Sequence, residues 1–300
     1  MSFKSGFVAL IGRTNVGKST LLNAIIKEKI AITSDKPQTT RNTIQGILTT
    51  DEYQIIFIDT PGIHKPKSKL SEYMIESVKR TLRDVDVVVY MIEPDTQIGK
   101  GDQYIIDYLK EIKTPIILVI NKIDKVPYEK VNETINIFKE CCNFKNIIPV
   151  SALLNRNIDL LKDTIISNLP EGPKYYFDDY FTDQPEKVII SEIIREKMLI
   201  YLDEEVPHGV YVEVNSMKER EGQNILDIEA VIYCEKESHK AIIIGKGGQM
   251  LKKIGQSARL ELESLFGQKI YLDLWVKTKK GWRDNVSILR SLGYTVDKGR

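Results

Sequence analysis

The octapeptide Gly12-Arg13-Thr14-Asn15-Val16-Gly17-Lys18-Ser19 lies between an apolar run, Phe7–Ile11, and a segment of helical spacing that begins at Lys18. It fits G-x-x-x-x-G-K-[ST] in the strand–loop–helix setting that the pattern requires. No other feature constrains the fold as tightly. A buried strand must end where a helix begins, and glycines in the turn let backbone N–H groups close around an anion at the positive end of that helix. Lys18 would reach the β- and γ-phosphates of a nucleotide, and the Ser19 hydroxyl would take one position on Mg²⁺.

The first 170 residues alternate two periodicities. Apolar, β-branched runs occur at Phe7–Ile11, Gln54–Asp59, Val85–Ile92, Thr114–Ile120 and Ile147–Val150. Helical spacing marks Lys18–Ile26, Leu70–Arg83, Gln103–Glu111, Tyr128–Cys141 and Ile158–Leu169. Continuous apolar strands between amphipathic helices describe a parallel sheet covered on both faces. The exception is the pair around Asp51-Glu52, whose turn is too short for anything but an antiparallel connection. An α/β phosphate-loop domain with one antiparallel strand is therefore expected over 1–170. Pro170-Glu171-Gly172-Pro173 opens a linker, 171–186. A smaller α+β domain is expected over 187–300, with a helix near Pro185–Leu202 and a small antiparallel sheet.

Composition removes whole classes of function. A chain of 300 residues, 42% hydrophobic and 28% charged, is ordinary for two globular domains. No apolar run nears the ~18–20 residues that span a bilayer, and the N-terminus carries no cleavable signal pattern. Cys141, Cys142 and Cys234 make neither a disulfide framework nor a metal-ligand spacing, so a reducing cytoplasmic compartment is expected. The net charge of +1 hides an asymmetry. Residues 171–235 hold 6 basic and 16 acidic groups, whereas 236–300 hold 14 basic and 6 acidic, or +8. A basic segment of this kind suits a polyanion.

Three further motifs stand at strand ends. Asp59-Thr60-Pro61-Gly62 closes the run ending in Asp59. A carboxylate there suits an outer-sphere Mg²⁺ ligand, and the Gly62 N–H would face a γ-phosphate and sense its loss. Asn121-Lys122-Ile123-Asp124 follows Thr114–Ile120. Asp124 can accept from guanine N1–H and the exocyclic amine, a donor pair that adenine lacks, so adenine would leave a carboxylate unpaired. The Lys122 stem can lie over the base, and Asn121 can brace the loop. Ser151-Ala152-Leu153 would bring the Ala152 N–H to guanine O6.

In order and approximate spacing these motifs resemble those of Ras-like GTPases, within the translation-factor-related class. The resemblance implies that Thr39-Thr40-Arg41 is switch I, with the Thr40 hydroxyl on Mg²⁺ in the GTP state and Thr39 the alternative. Ras-like enzymes orient the attacking water with a glutamine immediately after the D-T-P-G-type segment. Here the residue is Ile63, so slow intrinsic turnover is expected. His64 is read as a solvent-exposed switch residue rather than a base. In related GTPases an asparagine at the place of Asn15 helps to hold K⁺ against the phosphates, which implies the same ion here.

In the second domain Ile242-Ile243-Ile244 runs, as strand or helix end, into Gly245-Lys246-Gly247-Gly248, and a helix Met250–Phe266 follows. Lys240, Lys246, Lys252, Lys253 and Arg259 crowd this turn. Two glycines at G-x-x-G spacing let a nucleic-acid backbone approach closely. With Ile242, Ile243, Ile244 and Leu251 as the groove floor, the order helix, two strands, turn, helix, strand resembles a type II KH domain, the bacterial type. Trp275 and Trp282 are candidates for base stacking, with packing the preferred reading for Trp275. Lys279, Lys280 and Arg283 are further candidates for phosphate contacts. Over nearly the whole chain the combination is similar to the bacterial Era GTPases. That resemblance implies binding of GTP, GDP and Mg²⁺, of the 3′ region of small-subunit ribosomal RNA and of the small ribosomal subunit during its maturation. It also implies loose association with the inner face of the cell membrane. Two other readings use the same residues: a GTPase driving RNA modification or remodelling, and a regulatory module whose second domain is a scaffold.

Overall fold

A computed structural model describes residues 2–36 and 38–294. The first unit is built on a six-stranded sheet. Along the chain run β1 (Lys4–Gly12), α1 (Lys18–Ile26), β2 (Ile44–Thr49), β3 (Tyr53–Asp59), α2 (Lys69–Thr81) and β4 (Val87–Ile92). They continue as α3 (Lys100–Leu109), β5 (Ile116–Ile120), α4 (Tyr128–Phe138), β6 (Asn146–Pro149) and α5 (Ile158–Asn168). Strand order is β2-β3-β1-β4-β5-β6, parallel throughout except for β2 against β3.

Both faces of this sheet are buried, which is why its strands read as unbroken apolar runs. On one face Val8 and Leu10 pack with Leu21, Leu22, Leu161 and Ile165; on the other Ala9 and Ile11 pack with Val78, Leu82, Ile105 and Phe138. The chain order reverses on either side of β1, so the loops at its C-terminal end open a crevice where ligands bind in folds of this class. Helix α3 begins at Lys100, earlier than the spacing predicts, and β4 begins two residues later, at Val87.

The segment expected as a linker does not hang free. Beyond α5, the Gly172 N–H donates to the Phe3 carbonyl (3.1 Å) and Glu171 pairs with Lys4. The buried Gln54 side chain accepts from the N–H groups of Tyr175 (2.6 Å) and Tyr176 (3.0 Å) and donates to the Tyr176 carbonyl (2.9 Å). Farther on, the Ile47 N–H donates to the Phe181 carbonyl at 2.9 Å, and the Thr182 hydroxyl donates to the Gln45 carbonyl at 2.7 Å. Residues up to Asp183 thus close the free edge of β2, and the second compact unit takes over at Gln184.

The second unit comprises α6 (Glu186–Tyr201), β7 (Tyr211–Glu219), β8 (Ile225–Cys234), α7 (Glu237–Ile244), α8 (Gln249–Phe266), β9 (Lys269–Thr278) and α9 (Val286–Ser291). Its sheet is mixed rather than antiparallel. β7 pairs antiparallel with β8, but β8 and β9 run parallel, because the two-helix crossover through α7 and α8 returns the chain to the same end. Ile242–Ile244 are helical despite their β-branched side chains, since α7 carries Ile243 into the core with Ile254, Ala258 and Ile228. Trp282 is fully buried, donates to the Gly209 carbonyl at 2.9 Å and stacks against Tyr294. Trp275 corrects the preferred reading: it is 60% exposed on the edge strand β9, where an odd-numbered position points away from the helices.

Candidate functional site

The phosphate loop leaves β1 through backbone conformations that favour glycine. Gly17 sits at φ 99°, and a Cβ there would lie 2.3 Å from the Asn121 amide nitrogen. That close approach is the brace expected of Asn121. Its Nδ2 donates to the Val16 carbonyl (2.8 Å), and its Oδ1 accepts from the Ala152 N–H (3.0 Å). One side chain therefore ties the phosphate loop to the loop after β6. The Ala152 N–H, expected to face guanine O6, is directed to Asn121 instead.

Lys122 adopts a left-handed backbone (φ 64°), from which its ammonium group donates to the Asn15 carbonyl at 2.6 Å and pairs with Glu93. Its stem thus spans the gap between base loop and phosphate loop. Ser151 donates to Asp124, and this hydrogen bond holds the Asp124 carboxyl below its ordinary range. Asp124 is therefore ionised, as an acceptor of two guanine donors must be. A cavity of about 410 Å³ runs from Thr14, Gly17, Lys18 and Ser19 to Lys122 and the exposed Leu153.

At the phosphate end three hydroxyl and carboxyl oxygens converge. Ser19 Oγ lies 2.6 Å from Asp59 Oδ2 and 3.0 Å from Thr40 Oγ1, and Thr40 Oγ1 lies 3.3 Å from the same carboxylate. Asp59 is wholly buried, and its Oδ1 has no hydrogen-bond partner among the described residues. Hard oxygen donors around an unsatisfied buried carboxylate suit Mg²⁺, with Ser19 and Thr40 as ligands and Asp59 acting through water. Thr39 does not join them. Its hydroxyl turns back to the Lys36 carbonyl at 2.7 Å.

Lys18 is buried beside this group and donates to the carbonyls of Gly12 (3.4 Å) and Arg13 (3.1 Å). Burial lowers its pKa, against the opposing pull of Asp59. Burial likewise raises that of Asp59, opposed by Lys18, Ser19 and Thr40. Both shifts come from burial, which disfavours the charged form of each group.

Past Asp59 the chain is pressed onto the phosphate loop. Thr60 Oγ1 donates to the Leu10 carbonyl (2.7 Å), Pro61 is buried, and the Ile63 N–H donates to the Gly12 carbonyl (3.1 Å). Only glycine fits at Gly62, because a Cβ would lie 2.7 Å from Thr14 Cα. Ile63 points into the core with Val78, Leu82 and Ile105 and has no means of orienting water. His64 is half-buried rather than exposed, with Nδ1 3.1 Å from the Gly62 carbonyl and Nε2 3.2 Å from Gln38 Nε2.

In the glycine turn of the second unit, Gly245, Gly247 and Gly248 all have positive φ (71°, 60° and 78°). At Gly247 and Gly248 a Cβ would meet open space, so backbone conformation rather than crowding calls for glycine there. Lys246 is exposed at the tip. Beside the turn a groove of about 640 Å³ is lined by Gly248, Leu251, Lys252, Arg259, Tyr271 and Leu274, among others. Its apolar floor is thus Leu251 with β9 side chains, not the isoleucines of α7. Lys253 turns elsewhere, its ammonium 4.2 Å from the centre of the Tyr201 ring, and Lys240 does not line the groove. Arg283 is taken up by an ion pair with Glu235, and Lys279 lies over the Tyr233 ring.

The family model "50S ribosome-binding GTPase" matches residues 7–122, and the "KH domain" model matches 205–283. GTPase Era of Thermoanaerobacter sp. (strain X514) is 72% identical over 298 residues, 99% of each chain. GTPase Era of Caldanaerobacter subterraneus subsp. tengcongensis is 70% identical, over 99% of this chain and all of its own. The chain belongs to the Era family of GTPases. Two solved Era structures superpose with a TM-score of 0.94 at 41% identity, covering 98% of this chain and all of theirs. One is an Aquifex aeolicus Era variant bound to GDP and AlF₄⁻. The other is an Era in complex with MgGDPNP and nucleotides 1506–1542 of 16S ribosomal RNA.

Some residues at this Era-family site carry no local sequence signal. Arg13 lies in the phosphate loop, and its guanidinium pairs with the buried Asp102 of α3 at 3.2 Å, while Tyr90 donates to the same carboxyl at 3.0 Å. Gly99 and Gly101 leave room for the Arg13 side chain: a Cβ at either would come within 3.0–3.1 Å of it. Nothing in the spacing of Arg13, Tyr90 and Asp102 announces that they meet. Glu93, the partner of Lys122, is equally silent.

Proposed function

We propose that this Era-family GTPase is a nucleotide-controlled switch that binds single-stranded RNA at the 3′ end of small-subunit ribosomal RNA and assists maturation of the small ribosomal subunit. The observation that carries this reading is the turn Gly245–Gly248. Three positive-φ glycines open onto a groove lined by Lys252 and Arg259, in a segment of charge +8. Such a turn admits a phosphate backbone, and the apolar floor accepts unstacked bases. The Era–RNA complex among the structural neighbours supports the same choice of RNA.

In the first unit Lys18 and the loop N–H groups hold the β- and γ-phosphates, and Asp124 selects guanine. Bound Mg²⁺ neutralises charge that develops on the phosphates. Thr40 and Gly62 bring switch I and switch II to the γ-phosphate, so its loss frees both segments. Ile63 leaves water to be positioned by backbone groups and by an ion. Asn15, exposed on the loop and donating to the Asp35 carbonyl, supports K⁺ held between phosphate loop and switch I. Turnover is then faster in potassium than in sodium salts, and Asn15→Ala removes the difference. Equal rates in both salts would dismiss the ion and leave the GTPase intact.

Cytoplasmic location, with loose contact at the inner membrane face, rests on the family resemblance. No helix among the described residues is long and apolar enough to cross a membrane. Co-sedimentation with anionic vesicles tests the contact.

The RNA reading is tested by anisotropy with a labelled oligonucleotide of the small-subunit rRNA 3′ sequence. Lys246→Asp with Gly247→Asp puts two carboxylates at the turn and removes one ammonium. Affinity should fall at least ~100-fold, as loss of phosphate contacts plus repulsion amounts to about 3 kcal/mol, while GTP affinity stays unchanged. Undiminished RNA binding would refute the site.

A further inference from the structure

The strap Glu171–Asp183 presents a surface that neither the nucleotide site nor the RNA groove uses. Tyr175, Phe177, Tyr180 and Phe181 are exposed, Phe177 by 78%. Phe177 and Tyr180 rings lie 6.2 Å apart and Tyr176 and Tyr180 rings 6.3 Å apart, so these three form one cluster, while the Tyr175 ring packs 5.0 Å from that of Phe7. Along the same strap the sequence carries Glu171, Asp178, Asp179 and Asp183 against the single Lys174, itself paired with Asp178 at 2.6 Å. The patch is held in place from beneath: Gln54, Gln45 and Ile47 fix the backbone on either side of it. Contiguous aromatic surface on a rigid support is unusual unless something covers it.

We propose that this strap is a docking surface for a lysine- and arginine-rich protein segment. Charge selects the occupant. Four carboxylates against one lysine repel RNA phosphates and anionic lipid headgroups alike. A second copy in a two-fold contact would bring the same acidic patch against itself. A basic segment satisfies both halves of the surface, its cations over the faces of Tyr and Phe rings and hydrogen-bonded to the neighbouring carboxylates. Because the strap is already ordered on β2, docking costs little loop entropy.

The source of the partner rests on the small ribosomal subunit reading above, so the test separates the two. Full-length protein carrying benzoylphenylalanine in place of Phe177 is bound to purified small ribosomal subunits with a non-hydrolysable GTP analogue and irradiated. The expected product joins position 177 to a lysine- and arginine-rich stretch of a subunit protein. Cross-links only to rRNA, only to a second copy, or none in an intact complex would overturn the proposal. In parallel, Phe177→Ser with Tyr180→Ser should weaken subunit binding about tenfold and leave the isolated 3′ oligonucleotide bound as before. Unchanged subunit affinity in a folded variant would also overturn it. Wild-type protein that binds the subunit but not the oligonucleotide would contradict the RNA reading instead, and the cross-link would still decide this one.

Discussion

Asp124 shows how one hydrogen bond prepares a side chain for its task. The Ser151 hydroxyl stabilises the ionised carboxylate, so the acid limb of guanine-nucleotide binding should lie below the ordinary carboxylate range. A lowered pKa favours the charged form, and binding is lost only as pH falls through that lowered value. Ser151→Ala should therefore move the acid limb of GDP affinity upward, measured by titrating affinity from neutral pH downward. A limb that does not move would separate Ser151 from the carboxylate. Asp124→Asn keeps one acceptor for the base N1–H and turns the other into a donor, which suits a 2-oxo group in place of the 2-amino group, and should shift preference from guanine to xanthine nucleotides in a competition assay. At this scale the motifs were readable because their chemistry is local: Lys18, Ser19, Asp59 and Asp124 each stand at a fixed place relative to a strand end. The side chain of Arg13 is the converse case. Its partner Asp102 is set by packing across the sheet, which no spacing encodes.

Among elements, the alternation of strands and helices and the one antiparallel pair of the first unit followed from periodicity and turn length, whereas the strand order, α7 and the parallel pairing of β9 did not. A β-branched run such as Ile242–Ile244 carries no sign of whether it is strand or helix; the core position of Ile243 decides it. The strap was hidden too, because what fixes it is a buried glutamine on β3 that reads as an ordinary polar strand residue. Gln54→Ala removes four hydrogen bonds, three of them to the strap and one to Thr49, and should cost about 3–4 kcal/mol if each contributes about 1. Denaturant titration would register the loss, and limited proteolysis should then cut near Tyr175–Phe177. Resistance equal to the parent chain would show that Gln54 does not hold the strap. Likewise Asp102→Ala leaves Arg13 without its counter-charge and should destabilise by about 1–2 kcal/mol, with faster release of GDP as the phosphate loop loosens.

For the whole molecule, the covalent path between the two units is short. Thr40 in switch I stands four residues before β2, the strap is bonded to Gln45 and Ile47 of β2, and the second unit begins directly after the strap at Gln184. On the proposed reading of Thr40, a change at the γ-phosphate would be passed along this stretch of chain toward the second unit. The charge pattern, acidic over 171–235 and basic over 236–300, carries no sign of the anchoring that makes the first residues of the acidic stretch a strap. A nucleotide-controlled RNA switch needs the two activities to be coupled as well as present on one chain. The most direct test is the RNA dissociation constant of the full-length protein, at fixed ionic strength, with a non-hydrolysable GTP analogue and then with GDP. The two constants should differ, and Thr40→Ala should make them equal without altering the RNA groove. Identical RNA affinity of the parent protein in both nucleotide states would contradict the coupling.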